Sequence, residues 1–278
     1  MRASGRPVGL YRHPVGMTRL AFFAADTPSA CAAHAEATAL YGNTALFLAD
    51  AVVVFGGDGY MLGSLQRHLA AMQSNPAIRR VPVFGVNHGT LGFLMNSRES
   101  PLVNLPDRVA AAVPVLMAPL RATVTTSDGQ QHVAYAFNEV ALRRSGSQAA
   151  NLRVLVGGTE RLACLSGDGL LLATPAGSAA YNYSAGGPVL PLSSHALALT
   201  GICPGRPARW PGAVLGHRSS VRVEVLQPDK RPVDLTADQR VVHDVLTMEV
   251  VSAPDMAVTA LFDAGLDLDE RLAAVQFR

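Results

Sequence analysis

The sequence is poor in lysine, cysteine and charge, and each shortage excludes a class of protein. Lys230 is the only lysine among 278 residues, so a Walker A loop and the strand lysine of a protein kinase are both excluded. A Rossmann fingerprint starting at Gly57 would need glycine where Leu62 stands. The three cysteines lack any CxxC or Cys/His spacing, which favours small buried residues in a reducing cytoplasm.

Long hydrophobic runs are also missing. No apolar stretch approaches a membrane span, and the first residues show no signal-peptide pattern. A net charge of +2 gives no electrostatic basis for binding nucleic acid or an acidic membrane. With 49% hydrophobic residues, the sequence predicts a globular, cytoplasmic protein of one large domain or two modest ones.

The stretch over residues 51–63 is the feature around which the chain is organised. A β-branched and aromatic run at residues 52–55 predicts a buried strand, and the glycine-rich turn at residues 56–59 ends it. Apolar residues at helical spacing follow, so we expect a helix beginning just past Gly59. Such a turn is an anion site, because unpaired backbone N–H groups and the helix dipole point at it.

Asp58 is an unusual residue for a phosphate-binding turn. A carboxylate repels phosphate unless it holds a metal ion or takes a proton from a nucleophile, so Asp58 is a candidate for either role. The alternative is purely structural, since glycine and aspartate are ordinary turn formers and aspartate also caps helices.

The pattern of strands and helices changes near residue 116. Before it, strand patterns at residues 19–24, 52–55 and 81–86 alternate with helical ones, which predicts an α/β domain with a doubly wound parallel sheet over residues 17–115. Short strand patterns over residues 116–257 predict a mainly antiparallel β domain. Residues 258–278 are expected to form a closing segment, with a helix, that packs back on the first domain.

Four further stretches place small and polar residues in a distinctive order. They are Gly85-Val-Asn-His-Gly-Thr-Leu-Gly-Phe-Leu94, Asn138-Glu139, Ser166-Gly-Asp-Gly169 and the run of small and hydroxyl residues at 174–188. Each alone could be a turn or close packing. Together with the GGDG turn they resemble the ATP- or polyphosphate-dependent NAD kinase family, from Met17 to the end of the chain. Pro204-Gly-Arg-Pro207, Arg209-Trp210 and Asp269-Glu-Arg271 look most like its alphaproteobacterial branch.

The resemblance implies a two-domain homodimer or homotetramer. It implies transfer of a phosphoryl group from ATP or polyphosphate to the 2′-hydroxyl of the adenosine ribose of NAD, which gives NADP. Mg²⁺ or another divalent cation is implied as cofactor, with no residue assigned to the metal. Phosphoryl transfer depends on in-line positioning and Mg²⁺ more than on covalent catalysis.

The resemblance also assigns site residues. Asp58 is the expected general base and meets, with Gly59, the ribose and phosphate region; Asn138 and Glu139 hold ribose and amide groups, with Asp168 nearby. The remaining NAD contacts are expected from Ala176, Ala179, Ala180, Tyr181, Asn182, Tyr183 and Ser184. The phosphate-donor loop is expected to comprise Gly56, Gly57, Gly59 and Asn87.

Three positions qualify this assignment. Ala179 stands where the family usually has threonine, so one hydroxyl contact is missing. Residues 236–239 match the family's late DGQ only loosely, so Asp238 receives no role. Gly167 has no side chain, so we expect free space beside Asp168 in the nicotinamide region.

Two other functions stay open from the sequence. The GGDG turn also occurs in lipid kinases and phosphofructokinases, so a lipid or sugar kinase is one alternative. A non-catalytic NAD sensor is the other, and tight NAD binding with little turnover would favour it. Phosphorylation assays with NAD, diacylglycerol and fructose 6-phosphate separate these functions.

Residues 1–16 mix Gly, Pro and Arg without periodicity, and we expect them to be a disordered extension. A chain beginning at Met17 should therefore match the full chain in turnover and in Tm, because the first predicted strand begins at residue 19. Steady-state kinetics and thermal unfolding of both chains test this, and a large loss of either property would contradict it.

Overall fold

The computed structural model describes residues 19–75, 77–90, 92–98 and 102–277. The predicted extension at residues 1–16 lies outside them. The chain divides into two compact units: Met1–Ser64, Ala77–Leu116 and Thr259–Leu266 form the first, and Leu65–Pro76, Met117–Val258 and Asp267–Arg278 form the second. The domain boundaries drawn from the sequence stay a prediction.

The described residues contain strands and helices with the following bounds. The strands are β1 (Leu20–Ala24), β2 (Ala51–Gly56), β3 (Val83–Asn87), β4 (Val113–Met117), β5 (Leu120–Thr126), β6 (Gln131–Ala136), β7 (Glu139–Arg144), β8 (Ala150–Val156), β9 (Thr159–Gly167), β10 (Gly169–Ala173), β11 (Ala196–Ile202), β12 (Ala213–Gly216), β13 (Val221–Val225), β14 (Val233–Ala237), β15 (Arg240–Val242), β16 (Val245–Ser252) and β17 (Val258–Phe262). The α-helices are α1 (Pro28–Tyr41), α2 (Asp58–Ser74), α3 (Leu105–Ala111), α4 (Tyr181–Ser184) and α5 (Leu268–Ala273).

The first unit contains a five-stranded sheet in the order β1-β2-β3-β17-β4. The pairs β1–β2, β2–β3 and β3–β17 are all parallel. Every residue of β2 is buried, as its uninterrupted apolar run predicts. Because the strands are parallel, the carboxyl ends of β1, β2 and β3 lie at one edge of the sheet, where open α/β sheets bind ligands.

The second unit contains two six-stranded sheets with antiparallel pairing. Their orders are β12-β11-β10-β7-β14-β15 and β6-β5-β16-β13-β8-β9. Leucine and valine side chains of both sheets form one buried cluster, which includes Leu120, Leu142, Leu172 and Val223. The predicted fold class, a parallel sheet followed by a mainly antiparallel β part, is confirmed.

The starts of two helices have local reasons in the structure. Helix α1 begins at Pro28, because the Thr27 hydroxyl accepts the N–H of Ala30 at 3.3 Å and caps the first turn. Helix α2 begins at Asp58 rather than past Gly59, because the carbonyl of Gly57 already accepts the N–H groups of Tyr60 and Met61.

Two features of the second unit differ from the prediction. The apolar strand pattern at residues 241–245 is divided between two strands, since Asp244 adopts a left-handed φ of 54° between β15 and β16. Strand β9 was not predicted, because most of its side chains are exposed and give no apolar pattern.

Asn96 ties the loop after β3 to β17. Its side chain is fully buried, donates from Nδ2 to the carbonyl of Leu261 at 3.0 Å, and accepts the N–H of Asp263 at 2.7 Å. Its backbone pairs with Gly85 and Asn87. This residue therefore fixes the segment that carries Phe93 and Leu94.

Replacing Asn96 with leucine should destabilise the protein by about 2–4 kcal/mol, because two buried backbone groups lose their partners. Denaturant unfolding measures the loss. Asn104 is exposed and makes no side-chain bond to the helix it precedes, so Asn104→Leu is the matched control. Equal stability of the two variants would contradict the role given to Asn96.

Candidate active site

The GGDG turn joins the carboxyl end of β2 to the first residue of α2. Gly56 leaves no room for a side chain, since a Cβ there would lie 2.8 Å from the Cβ of Tyr60. Gly59 is exposed, and a Cβ there would meet nothing within 4 Å. A ligand can therefore approach the backbone of the turn at Gly59, beside the N-terminus of a 17-residue helix.

The carboxylate of Asp58 bonds to the loop after β3, not to its own helix. Oδ2 accepts the N–H of Phe93 at 2.9 Å, and Oδ1 accepts the N–H of Leu94 at 2.8 Å. These bonds fix the plane of the carboxylate. The alternative that Asp58 is only a helix cap does not agree with this geometry.

The loop after β3 begins with Asn87 and His88, directly beside the GGDG turn. The N–H of His88 donates to the carbonyl of Gly56 at 2.6 Å, and its Nδ1 lies 2.8 Å from the hydroxyl of Ser29. Burial, and secondarily the charge of Arg98, lowers the pKa of His88, so the ring is mainly neutral at pH 7. Asn87 Oδ1 accepts the N–H of Gly89 at 2.9 Å. The structure thus brings together the four residues predicted for the donor loop.

In the second unit, Asn138 and Glu139 form the connection between β6 and β7. Asn138 Oδ1 and Glu139 Oε2 are both buried and have no hydrogen-bond partner among the described residues. Buried polar atoms are nearly always paired in native proteins, so two neighbouring exceptions indicate a place for a ligand. Burial, and secondarily the charge of Asp238, raises the pKa of Glu139 to about 7.

The loop after β10 packs directly on this connection. Thr174 donates its N–H to the carbonyl of Asn138 at 2.9 Å and its hydroxyl to the carbonyl of Phe137 at 2.6 Å. A Cβ at Gly177 would lie 2.2 Å from the carbonyl oxygen of Asn138, so only glycine allows this approach. The structure therefore brings Asn138 and Glu139 together with the start of the predicted dinucleotide loop.

Within that loop, side chains divide into buried and accessible ones. Asn182 is fully buried: its amide nitrogen donates to the carbonyls of Ser178 and Pro188, and its oxygen accepts the hydroxyl of Thr200 at 2.7 Å. Its side chain therefore shapes the loop. Tyr183 and Ser184 are exposed, whereas the others are partly or largely buried: Ala176, Ala179, Ala180 and Tyr181. Their NAD contacts stay a prediction.

Asp168 lies at the far end of β7 from Glu139. Its carbonyl accepts the N–H of Arg144 at 2.9 Å, and β7 runs from Glu139 to Arg144, which at about 3.3 Å per residue is roughly 16 Å. Within one chain Asp168 therefore does not lie beside Asn138 and Glu139, and its contact with NAD stays a prediction. The hydrogen bond from Arg144 lowers the pKa of Asp168.

The structure has no free space for a side chain at Gly167, next to Asp168. A Cβ at Gly167 would lie 2.8 Å from the carbonyl oxygen of Cys203 and 2.9 Å from that of Ile202. These are backbone atoms, which cannot rotate away as a side chain can. The prediction of free space at this position is wrong, because backbone atoms of Ile202 and Cys203 in the same chain fill it.

Asp238 is the residue that sequence reasoning missed. Its carboxylate accepts the N–H groups of Phe137 and Asn138 at 2.7 and 2.9 Å, and that of Glu139 at 3.4 Å. The signal was present in the loose match at residues 236–239, but the partners lie 99 to 101 residues away. Only the pairing of β7 with β14 brings them together.

Comparisons with known proteins show which family this chain resembles. The ATP-NAD kinase C-terminal domain family matches residues 137–254. An NAD kinase of Xanthomonas campestris is 46% identical over 94% of this chain and 98% of that protein. An NAD kinase of Mesorhizobium japonicum is 43% identical over 93% of this chain and 97% of that protein.

A solved structure has the same fold. The crystal structure of yeast NADH kinase complexed with NADH has a TM-score of 0.70 and 25% identity, and it covers 82% of this chain. The chain spans 66% of the length of that yeast protein. The similarity to these relatives and to the kinase domain family shows that the chain is a kinase. More specifically, the chain belongs to the NAD kinase family.

Two negative findings concern the described residues only. None of the helices there is long and apolar enough to cross a membrane. The same residues contain no group of three or more His, Cys, Asp or Glu side chains placed to hold a metal ion. An all-protein metal site is therefore not visible in that part of the chain.

Glu139 gives the site a pH dependence. Its pKa is about 7 in the folded protein against an ordinary 4.5, so the folded state holds a proton that the unfolded state has lost between these values. The stability of the wild type should therefore fall by about 2–3 kcal/mol as the pH rises from 4.5 to 7, relative to Glu139→Gln, which does not titrate. Urea unfolding of both proteins across this range measures the difference, and parallel curves would contradict it.

Proposed function

We propose that this protein transfers the γ-phosphoryl group of ATP to the 2′-hydroxyl of the adenosine ribose of NAD and so produces NADP. The observation that carries the proposal is the pair of buried, unpartnered oxygens, Asn138 Oδ1 and Glu139 Oε2. Selecting one of two vicinal hydroxyls requires acceptors held in fixed positions, and these two oxygens meet that requirement. Family membership supports the same substrate.

Asp58 is the general base of this proposal. Each of its oxygens accepts one backbone N–H and keeps a second lone pair, so the carboxylate is oriented and still able to take a proton. As the 2′-oxygen forms its bond to the γ-phosphorus, the bond to the bridging oxygen breaks and ADP leaves. Asp58 takes the hydroxyl proton in this step.

The donor phosphates belong at the open side of the GGDG turn. Gly59 offers backbone with free space in front of it, and the N-terminus of α2 favours negative charge there. ATP as donor agrees with the description of the matching family domain. Polyphosphate as an alternative donor stays part of the proposal.

A divalent cation fits this arrangement as a partner of the nucleotide. Mg²⁺ is commonly held by one or two carboxylates together with substrate phosphates, so the lack of an acidic cluster among the described residues is compatible with it. Asp58 is the carboxylate in the turn that could contribute. When bound, Mg²⁺ would neutralise charge on the phosphates.

Two further elements of the proposal concern substrate and assembly. The yeast relative is an NADH kinase, so NADH is the second dinucleotide to assay here. A homodimer or homotetramer is proposed from the family resemblance, and sedimentation measures it directly.

The purified protein should phosphorylate NAD with ATP and Mg²⁺, and Asp58→Asn should lower kcat by at least roughly 10²-fold, since asparagine cannot take the proton. Coupled assay of NADP formation measures both. Diacylglycerol and fructose 6-phosphate serve as alternative acceptors, and faster phosphorylation of either would replace the proposed substrate. Tight NAD binding without turnover would favour the sensor.

The structure sharpens the interpretation of Asp58→Asn. An asparagine NH₂ group would face one of the two N–H groups of Phe93 and Leu94, so the variant also loses a hydrogen bond that holds the loop. Hydrogen exchange at these two amides separates loss of the base from loosening of the loop. Unchanged exchange with a large fall in kcat supports the base, and turnover within a few-fold of wild type refutes it.

A further inference from the structure

Asp238 lies in the tight connection between β14 and β15 and clamps the chain at residues 137–139. Its Oδ2 accepts the N–H of Phe137 and the side-chain amide of Gln66, at 2.7 and 2.8 Å. Its Oδ1 accepts the N–H groups of Asn138 and Glu139, at 2.9 and 3.4 Å. Two carboxylate oxygens offer about four acceptor sites, so all of them are used.

The clamp completes the pairing of the backbone at residues 137–139. The carbonyls of Phe137 and Asn138 accept hydrogen bonds from Thr174, and the carbonyl of Glu139 accepts the N–H of Asp238 at 3.2 Å. Every backbone N–H and C=O of the three residues therefore has a partner on the protein. The atoms left without one are side-chain oxygens, Asn138 Oδ1 and Glu139 Oε2.

The backbone conformation at position 238 restricts which residue can accept these four hydrogen bonds. Asp238 has a left-handed φ of 49°, a conformation that glycine, asparagine and aspartate adopt most readily. Glycine has no acceptor, and asparagine has one oxygen in place of two. Aspartate is the residue that combines the backbone conformation with four acceptor sites.

Burying a carboxylate at position 238 costs free energy. Asp238 is largely buried, so desolvation raises its pKa and opposes its charged form, and its charge in turn raises the pKa of Glu139. An acid at such a position is best explained by a task that a neutral residue cannot perform. Holding three consecutive N–H groups is such a task.

We propose that Asp238 is a positioning residue for the dinucleotide, fixing the backbone at residues 137–139 so that Asn138 Oδ1 and Glu139 Oε2 meet the ribose. The inference rests on the proposed function. Asp238 acts through these two residues and not on the reacting atoms. Its loss should therefore weaken NAD recognition and leave ATP recognition unchanged.

The test is Asp238→Asn, which keeps the shape and the left-handed backbone but turns one oxygen into a donor facing N–H groups. We expect KM for NAD to rise about tenfold or more, with KM for ATP within about twofold of wild type. Asp244→Asn is the matched control, because Asp244 is exposed and also left-handed, with a φ of 54°. The control should leave both KM values unchanged.

A second variant keeps the test decisive if Asp238→Asn folds poorly. Asp238→Gly suits the same backbone conformation and removes all four acceptor sites, so it should show the same selective rise in KM for NAD. Hydrogen exchange at Phe137, Asn138 and Glu139 should accelerate in both variants. A double-mutant cycle with Asn138→Ala should be non-additive, since Asp238 acts through Asn138.

The outcomes separate the two proposals. A wild type that does not phosphorylate NAD overturns the proposed function and this inference with it. An active wild type whose Asp238 variants keep KM for NAD within twofold overturns the inference alone. An equal rise in both KM values, or a lower Tm with unchanged kinetics, also overturns it, because either would mean a merely structural role.

Discussion

A carboxylate that accepts backbone N–H groups is the interaction on which the candidate site residues of each unit, taken by itself, depend. Asp58 holds the loop at Phe93 and Leu94, and Asp238 holds the chain at residues 137–139. Hydrogen bonds to an ionised acceptor are roughly twice as strong as neutral ones, and they fix main chain without occupying the side chains that it carries. In each unit the result is a segment of main chain held by hydrogen bonds to a carboxylate of the protein itself.

Glycine residues also shape the candidate site residues, because the lack of a side chain lets backbone or ligand approach closely. At Gly177 the loop after β10 sits so near the carbonyl of Asn138 that no side chain would fit. At Gly59 the same absence of a side chain leaves open space for a ligand. Glycine thus allows close backbone packing at Gly177 and ligand access at Gly59. The surrounding atoms determine which of the two effects it has.

The burial of Glu139 beside Asp238 carries a free-energy cost for its charged form. A carboxyl group is kept out of water beside a second acid, and its pKa rises to about 7 as a consequence. Near neutral pH the group can then donate as well as accept a hydrogen bond, which suits recognition of ribose hydroxyls.

The sequence by itself determined the fold class and the GGDG turn, because apolar periodicity and glycine spacing are local properties of the chain. The family followed from the resemblance that its motifs carry together and in order. The sequence also placed Asn138 and Glu139 at a strand end. Tertiary structure alone decided the hydrogen-bond partners of Asp58 and Asp238, since these bonds span 35 or more residues. It also overturned the expected room at Gly167, because the atoms that fill it come from the chain near Cys203. Side-chain type can be read along the chain, but what faces a side chain depends on how distant strands pair.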